Sequence, residues 1–225
     1  MRVFLTGGTG LLGSHLADDL VHRGVQVVAL HRPSADTAYL AELGCMLVPG
    51  DITDPAEVLS ERRAGCTHVV HGAALVYSGG VWETIRRVNV EATRSILDAA
   101  VRAGVAHALH VSSVAVYGTV DGEIDEGAPI DTSVPDDDLY ARSKREAEHE
   151  ARAVEAEHGL PVTIVRPSAV YGERDRLMVP ALADLLRRPV VPIFGHGRNT
   201  LPVVYAGNVA SAMRLMLEAG EGGVD

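Results

Sequence analysis

Tyr140 and Lys144 stand four residues apart in the stretch DDDLYARSKREA, the spacing of one helical turn. A free phenol titrates near ~10 and is almost wholly protonated at neutrality. A cation on the next turn favours the phenolate and can lower that pKa by about 1–3 units. A phenol tuned in this way can give or take a proton at an oxygen whose carbon gains or loses a hydride. The neighbours are mostly charged, so a solvated surface helix with one partly buried tyrosine is the competing reading. The spacing alone does not choose between them.

A second constellation lies in TGGTGLLGSH, directly after an apolar run and at the start of a helical pattern. Gly8, Gly10 and Gly13 fit G-x-G-x-x-G, while Gly7, Gly10 and Gly13 fit a wider G-x-x-G-x-x-G. Both patterns let backbone N–H groups approach a pyrophosphate at the positive end of a helix. The second strand ends in VVALHRPS, without the carboxylate that would bind a ribose 2′-hydroxyl. His31 and Arg32 stand there instead. Arg32 can hold a 2′-phosphate by paired hydrogen bonds, which favours NADP, with NAD as the other possibility. Asp51 and Ile52 of GDITD follow the third strand, where an adenine ring would lie. No metal site is expected. His68 and His71, like His107 and His110, are three apart on strands and so face opposite ways. Cys45 and Cys66 match no ligand or disulfide spacing.

These residues need a scaffold, and the rhythm of the chain supplies one. RVFLT, VQVVALH, CMLVPGD, CTHVVHGAA, HALHVSS and LPVTIVRP read as strands, separated by helix-like stretches such as LLGSHLADDLVHRG and WETIRRVNVEATRSILDAAVRAG. Val- and Leu-rich strands without polar alternation are buried on both faces. The expectation is an α/β, Rossmann-type doubly wound parallel sheet with helices on both faces. The acidic stretch DGEIDEGAPIDTSVPDDD reads as a loop. The 225 residues carry a net charge of -10 and 47% hydrophobic content. That balance speaks against nucleic-acid or anionic-membrane partners. MRVFLTGG has no signal-peptide pattern and no apolar run nears a membrane span, so a cytoplasmic protein acting on a small molecule is expected.

In order along the chain, TGGTGLLG, GDITD, HGAALV, VNVEATRSILDAA, VSSVAVYG, YARSK and VRPSAVYGERD resemble the motifs of extended short-chain dehydrogenases/reductases, the epimerase/dehydratase type. The resemblance implies a nicotinamide cofactor along the carboxyl ends of the strands. It implies that Ser113 joins Tyr140 and Lys144 as the catalytic set, with Lys144 also bonding the nicotinamide ribose. Ala73 and Ala74 would line the cofactor, Asn89 would order the active-site region, and Leu11, Leu12 and Pro167 would complete the contacts. It also implies a homodimer through the helices before Ser113 and carrying Tyr140.

Ala169 stands where nucleotide-sugar enzymes often carry Asn, which turns the resemblance towards hydroxysteroid-dehydrogenase and dihydroflavonol-reductase types. Family members usually run well past NVASAMRLMLEA. The expected organisation is therefore one NAD(P)-binding domain over 1–225, with a cofactor-binding core at 1–165 and the start of an incomplete substrate-binding part at 166–225. The function expected is hydride transfer between a nicotinamide cofactor and a small carbonyl or alcohol. Nucleotide-sugar epimerisation or dehydration, and a non-catalytic NADP-binding sensor or scaffold, are the alternatives.

Overall fold

A computed structural model describes residues 1–62, 65–76, 81–118, 122–130, 138–191, 196–197, 200–220 and 223–224. The elements follow in the order β1 (Arg2–Thr6), α1 (Leu11–His22), β2 (Gln26–His31), α2 (Ala38–Glu42), β3 (Met46–Pro49), α3 (Ala56–Arg62), β4 (His68–His71) and α4 (Trp82–Arg86). Then come α5 (Ala92–Arg102), β5 (His107–Val111), α6 (Leu139–His158), β6 (Val162–Val165), β7 (Ala169–Tyr171), α7 (Met178–Leu186), β8 (Val203–Tyr205), α8 (Ala206–Ala219) and β9 (Gly223–Val224).

The six strands read from the sequence form one parallel sheet in the order β3-β2-β1-β4-β5-β6, and the short β9 adds beside β6. From β1 the chain winds outward to β3, then returns to the other side of β1 as β4. That reversal opens a crevice at the carboxyl ends of β1 and β4, where α/β sheets bind ligands. Registration of Thr6 with both Leu30 and His71 brings the residues after β1, β2 and β4 to the same edge.

Both faces of the sheet are covered, as the apolar strands require. Phe4, Val69, Ala108 and Ile164 pack with Ile96 and Leu97 of α5 and Ala151 and Val154 of α6. Val3, Leu5, Val70 and Leu109 pack on the opposite face with Leu16 and Leu20 of α1 and Met213 and Leu217 of α8. Ala141, Ala147 and Ala151 form the buried stripe of α6, and such small side chains let a helix axis lie close to its support. Asp138 caps the start of α6 by accepting from the Ala141 N–H, and Gly159 ends it in the left-handed conformation.

WETIRRVNVEATRSILDAA is helical, as its pattern predicts, but not uniformly α. Residues Arg87–Glu91 form a π-helical segment between α4 and α5, a widening that re-aims side chains. Residues 122–130 of the acidic stretch hold no helix or strand, in line with the loop reading, whereas 121 and 131–137 lie outside the described residues. β7 and β8 pair as a separate parallel ribbon. α7 buries none of its residues, so Leu182 and Leu186 are exposed.

Candidate active site

A cavity of about 1010 Å³ runs along the carboxyl edge of the sheet, from the β1–α1 turn and the end of β2 to Ser113, Tyr140 and Lys144. At one end the β1–α1 turn is held by glycine. Gly7 adopts φ +76°, and a Cβ on it would lie 2.6 Å from the Gly72 backbone; one on Gly13 would lie 2.2 Å from the Gly7 carbonyl oxygen. Neither position accepts a side chain. Gly8 does not line the cavity and packs instead towards Leu5 and Leu40. Of the glycines in that turn, Gly7, Gly10 and Gly13 thus line the cavity, which favours the wider of the two patterns. No side chain caps α1 and no acid sits in its first turn. With Leu11 and Leu12 in the wall, that helix end faces the cavity with its amide dipoles, a good match for a diphosphate.

The remaining candidates take their places around this cradle. His31, Arg32, Asp51 and Ile52 line one end, and Ala73, Ala74 and Pro167 line the middle. Asp51 accepts from both the backbone N–H and the hydroxyl of Thr53. Those bonds hold its carboxyl below the usual range, with Arg32 adding a smaller pull. Asn89 is the candidate that does not reach the cavity wall. The π-helical segment turns its buried amide to the backbone of Leu75, where Oδ1 accepts from the N–H at 2.8 Å and Nδ2 donates to the carbonyl at 2.9 Å. Asn89 therefore shapes the loop that carries Ala73 and Ala74.

At the other end Ser113 follows β5, and its Oγ accepts from the Ala115 N–H at the start of a short 3-10 turn. Tyr140 lies near the start of α6, with the Ser113 hydroxyl close enough to favour its phenolate. Lys144 is buried one turn later and donates from Nζ to the Val111 carbonyl at 2.8 Å. The lowered phenol pKa expected from the Tyr–Lys spacing is not what this geometry gives. Burial raises the Tyr140 phenol, and the nearby Ser113 hydroxyl only partly opposes it. Nζ lies 5.9 Å from the centre of the Tyr140 ring, engaged by Val111. The strain of burial falls on Lys144 instead, whose pKa drops to about 8, with Glu148 restraining the fall.

Behind the wall runs a buried polar chain that the motif reading did not single out. Ser143 donates to the Tyr140 carbonyl and accepts from Asn89 Nδ2. Thr93 donates to the Asn89 carbonyl at 2.7 Å, so its oxygen can accept from His71 Nε2 at 3.1 Å. His71 Nδ1 must then accept from the Thr6 hydroxyl at 2.8 Å, and Thr6 accepts from the Ala73 N–H. The chain links the cofactor-side loop to the backbone of Tyr140. Full burial, with Lys144 nearby, takes the His71 pKa down to about 3, so the imidazole stays neutral. Of the histidines on β4 and β5, His71 stacks on His110, and a His107 ring nitrogen lies 2.9 Å from the Thr163 hydroxyl. Among the described residues no cluster could hold a metal ion.

Glu148, one turn beyond Lys144, was also missed. It takes a paired bond from Arg166, which donates a third time to the Tyr117 hydroxyl at 2.7 Å. The repeat Tyr140–Lys144–Glu148 was the available signal, since three functional groups at one-turn spacing share one helix face. Arg174, also unforeseen, enters the cavity wall from the loop after β7.

Residues 3–225 match the model of the NAD dependent epimerase/dehydratase family. The chain belongs to that family. It is 32% identical over 228 residues to a 4-hydroxy-2-methyl-3-oxo-4-farnesyl-3,4-dihydroquinoline-1-oxide ketoreductase of Stigmatella aurantiaca, across 99% of this chain and 66% of the relative. It is 30% identical to a 2-alkyl-3-oxoalkanoate reductase of Stenotrophomonas maltophilia, across 97% of this chain and 66% of the relative. A crystal structure of DesIV, a dTDP-glucose 4,6-dehydratase from Streptomyces venezuelae with NAD and TYD bound, superposes with a TM-score of 0.86 at 30% identity, covering all of this chain and 74% of that one. The chain thus spans about two thirds of the length of these curated epimerase/dehydratase-family relatives.

Proposed function

We propose that the protein is an NAD(P)-dependent reductase or dehydrogenase of small carbonyl or alcohol substrates. The observation that carries this reading is the shared cavity. A glycine cradle at an uncapped helix end and the Ser113–Tyr140–Lys144 cluster open onto one space. The glycines with no room for a Cβ and the bare helix end fit a dinucleotide diphosphate. Gly7, Gly10, Leu11, Leu12 and Gly13 would hold it. Arg32, Asp51 and Ile52 would meet the adenosine, and Ala73, Ala74 and Pro167 would flank the rest. The nicotinamide, when bound, supplies or accepts the hydride.

The chain's own residues handle the proton. Burial keeps the Tyr140 phenol protonated, so it acts first as an acid and delivers its proton to the substrate oxygen. Ser113 donates a hydrogen bond to that same oxygen. Lys144, cationic below about pH 8, offsets the charge that develops on the phenolate. In the oxidative direction the same steps run backwards.

The likeness to a sugar-nucleotide dehydratase structure supports a second reading, dehydration or epimerisation of a nucleotide sugar. Eliminating water needs an acid or base beyond Tyr140. Among the described cavity-lining residues the carboxylates are Asp51 and Asp175. Asp51 is engaged by Thr53 near Arg32. Asp175 accepts from the backbone N–H groups of Leu177, Met178 and Val179 at the start of α7. Neither is free for that role. Ala169, in the cavity wall, adds no polar handle. Two relatives named as reductases of oxo compounds agree with the first reading.

Arg32 at the end of β2 supports NADP over NAD. A charge-assisted bond to a 2′-phosphate favours NADPH by about 1.5–3 kcal/mol. Calorimetric titration is expected to give tighter binding of NADPH than NADH, with the order reversed in Arg32→Asp. Tighter NADH binding by the unmodified protein would refute the NADP assignment.

A further inference from the structure

Arg174 sits in the cavity wall, near the end of the VRPSAVYGERD motif, yet the motif assigns it no role. It is the one non-glycine residue with positive φ among the described residues, at 69°. That backbone turns its side chain away from β7 and across to α1 and α2. Its Nε donates to the Ser14 hydroxyl at 2.9 Å, and Ser14 in turn donates to the carbonyl of Leu11, the first residue of α1. The guanidinium carbon lies 4.1 Å from the centre of the Tyr39 ring. The planar group is therefore fixed on one edge by Ser14 and on one face by Tyr39. Among the described residues no acceptor meets its two terminal nitrogens and no carboxylate pairs with it. In a chain of net charge -10, a held but unpaired guanidinium beside the glycine cradle calls for an anion from outside.

The loop carrying Arg174 is itself pinned. Glu173 accepts from the Tyr205 hydroxyl at 2.7 Å and lies 3.1 Å from His15 Nε2. Arg176 approaches Asp36 at 3.8 Å. Bonds to α1, to β8 and to the segment before α2 thus aim the side chain before any ligand arrives. Preorganisation of this kind lowers the entropic cost of binding.

We infer that Arg174 is a further cofactor-binding residue, whose terminal N–H groups take a phosphate of the dinucleotide's adenosine half. The inference rests on the proposed dinucleotide reading. Two phosphates carry this chemistry, the bridging diphosphate and a 2′-phosphate on the ribose, and the test separates them.

The 225-residue chain and its Arg174→Gln and Arg174→Gly variants are titrated calorimetrically with ADP, 2′-AMP, adenosine, NADH and NADPH. Glycine suits the left-handed backbone, so Arg174→Gly guards against misfolding of the first variant. Both variants are expected to bind ADP or 2′-AMP about 10- to 100-fold more weakly, the worth of a charge-assisted bond. Adenosine binding is expected to stay within about twofold. A loss confined to ADP assigns the diphosphate, and a loss confined to 2′-AMP assigns the 2′-phosphate. Equal losses for all three fragments would make Arg174 a structural support and overturn the inference, as would no loss for either phosphate. Failure of the unmodified chain to bind NADH or NADPH would overturn the dinucleotide reading as well.

Discussion

Lys144 links the chemistry of the site to the cost of burying it. Its folded pKa of about 8 lies below the ordinary 10.5 of lysine. Below about pH 8 the cation is present in both states, and its burial opposes folding in full. Between the two values the unfolded chain binds more protons than the folded one, so this contribution to stability improves as pH rises. Activity should run the other way, because deprotonation removes the charge that supports the phenolate. We expect kcat/KM, followed from about pH 6 to 10, to fall through an inflection near 8. Lys144→Ala should lose that limb and bind dinucleotide more weakly. A flat profile in the unmodified protein would separate Lys144 from the proton step. The Tyr–Lys spacing was legible in the sequence, but the direction of the phenol's shift was not. It comes first from the burial of the phenol, while the Lys144 Nζ is held by the Val111 carbonyl, 33 residues away in the chain.

At the scale of elements, α6 is fixed to the sheet by more than its alanine stripe. Glu148 and Arg166 are both almost fully buried, paired at 2.7 Å, and join α6 to the residue after β6. Arg166 also reaches the Tyr117 hydroxyl, at the end of the turn that Ser113 begins. Glu148→Ala would leave the Arg166 charge buried without its partner, and we expect it to cost about 3–5 kcal/mol. Urea unfolding checks this. A cost under about 1 kcal/mol, the range of exposed pairs, would show that the pair does not anchor the helix. The long elements were readable because their patterns repeat. Apolar runs such as VQVVALH and HALHVSS gave β2 and β5, and LYARSKREAEHEARAVEAEHG gave α6. The five-residue α2 and the three-residue β7 and β8 are too short to show a period, and their contacts come from distant residues. The π-helical segment around Asn89 has no pattern of its own, because one widened turn hardly disturbs the spacing.

The whole molecule brings the ends of its strands to one edge, and the candidate site follows from that topology. Motifs spread from Gly7 to Pro167 meet at one cavity because parallel strands point the same way. That much was legible, since most of the motifs follow a recognisable strand and YARSK opens a recognisable helix. Arg174 was not, because its role depends on a left-handed turn and on Ser14, 160 residues earlier. The polar chain from Thr6 through His71 to Ser143 escaped for a similar reason, as its members sit on separate elements. Their alignment appears only when β1, β4 and the helices over them are packed. α5 and α6 spend much of their outward charge within the chain, where Arg94 meets Asp98, Glu150 and Glu157. The apolar side chains of Leu182, Leu186 and Leu201 stay exposed beyond the cavity, and Leu177 is exposed at its wall.

Tyr140→Phe asks whether the phenol of Tyr140 is the proton donor. The change removes one hydroxyl and leaves the ring, so α6 and the cradle should persist. Turnover is measured as NADPH consumption with small apolar oxo compounds, and dinucleotide affinity is measured on the same preparations. Loss of a positioned proton donor predicts a fall in turnover of about 10²–10⁴, with NADPH affinity changed by less than about twofold. Turnover unchanged in Tyr140→Phe would contradict the account and leave Tyr140 a partly buried residue of a surface helix.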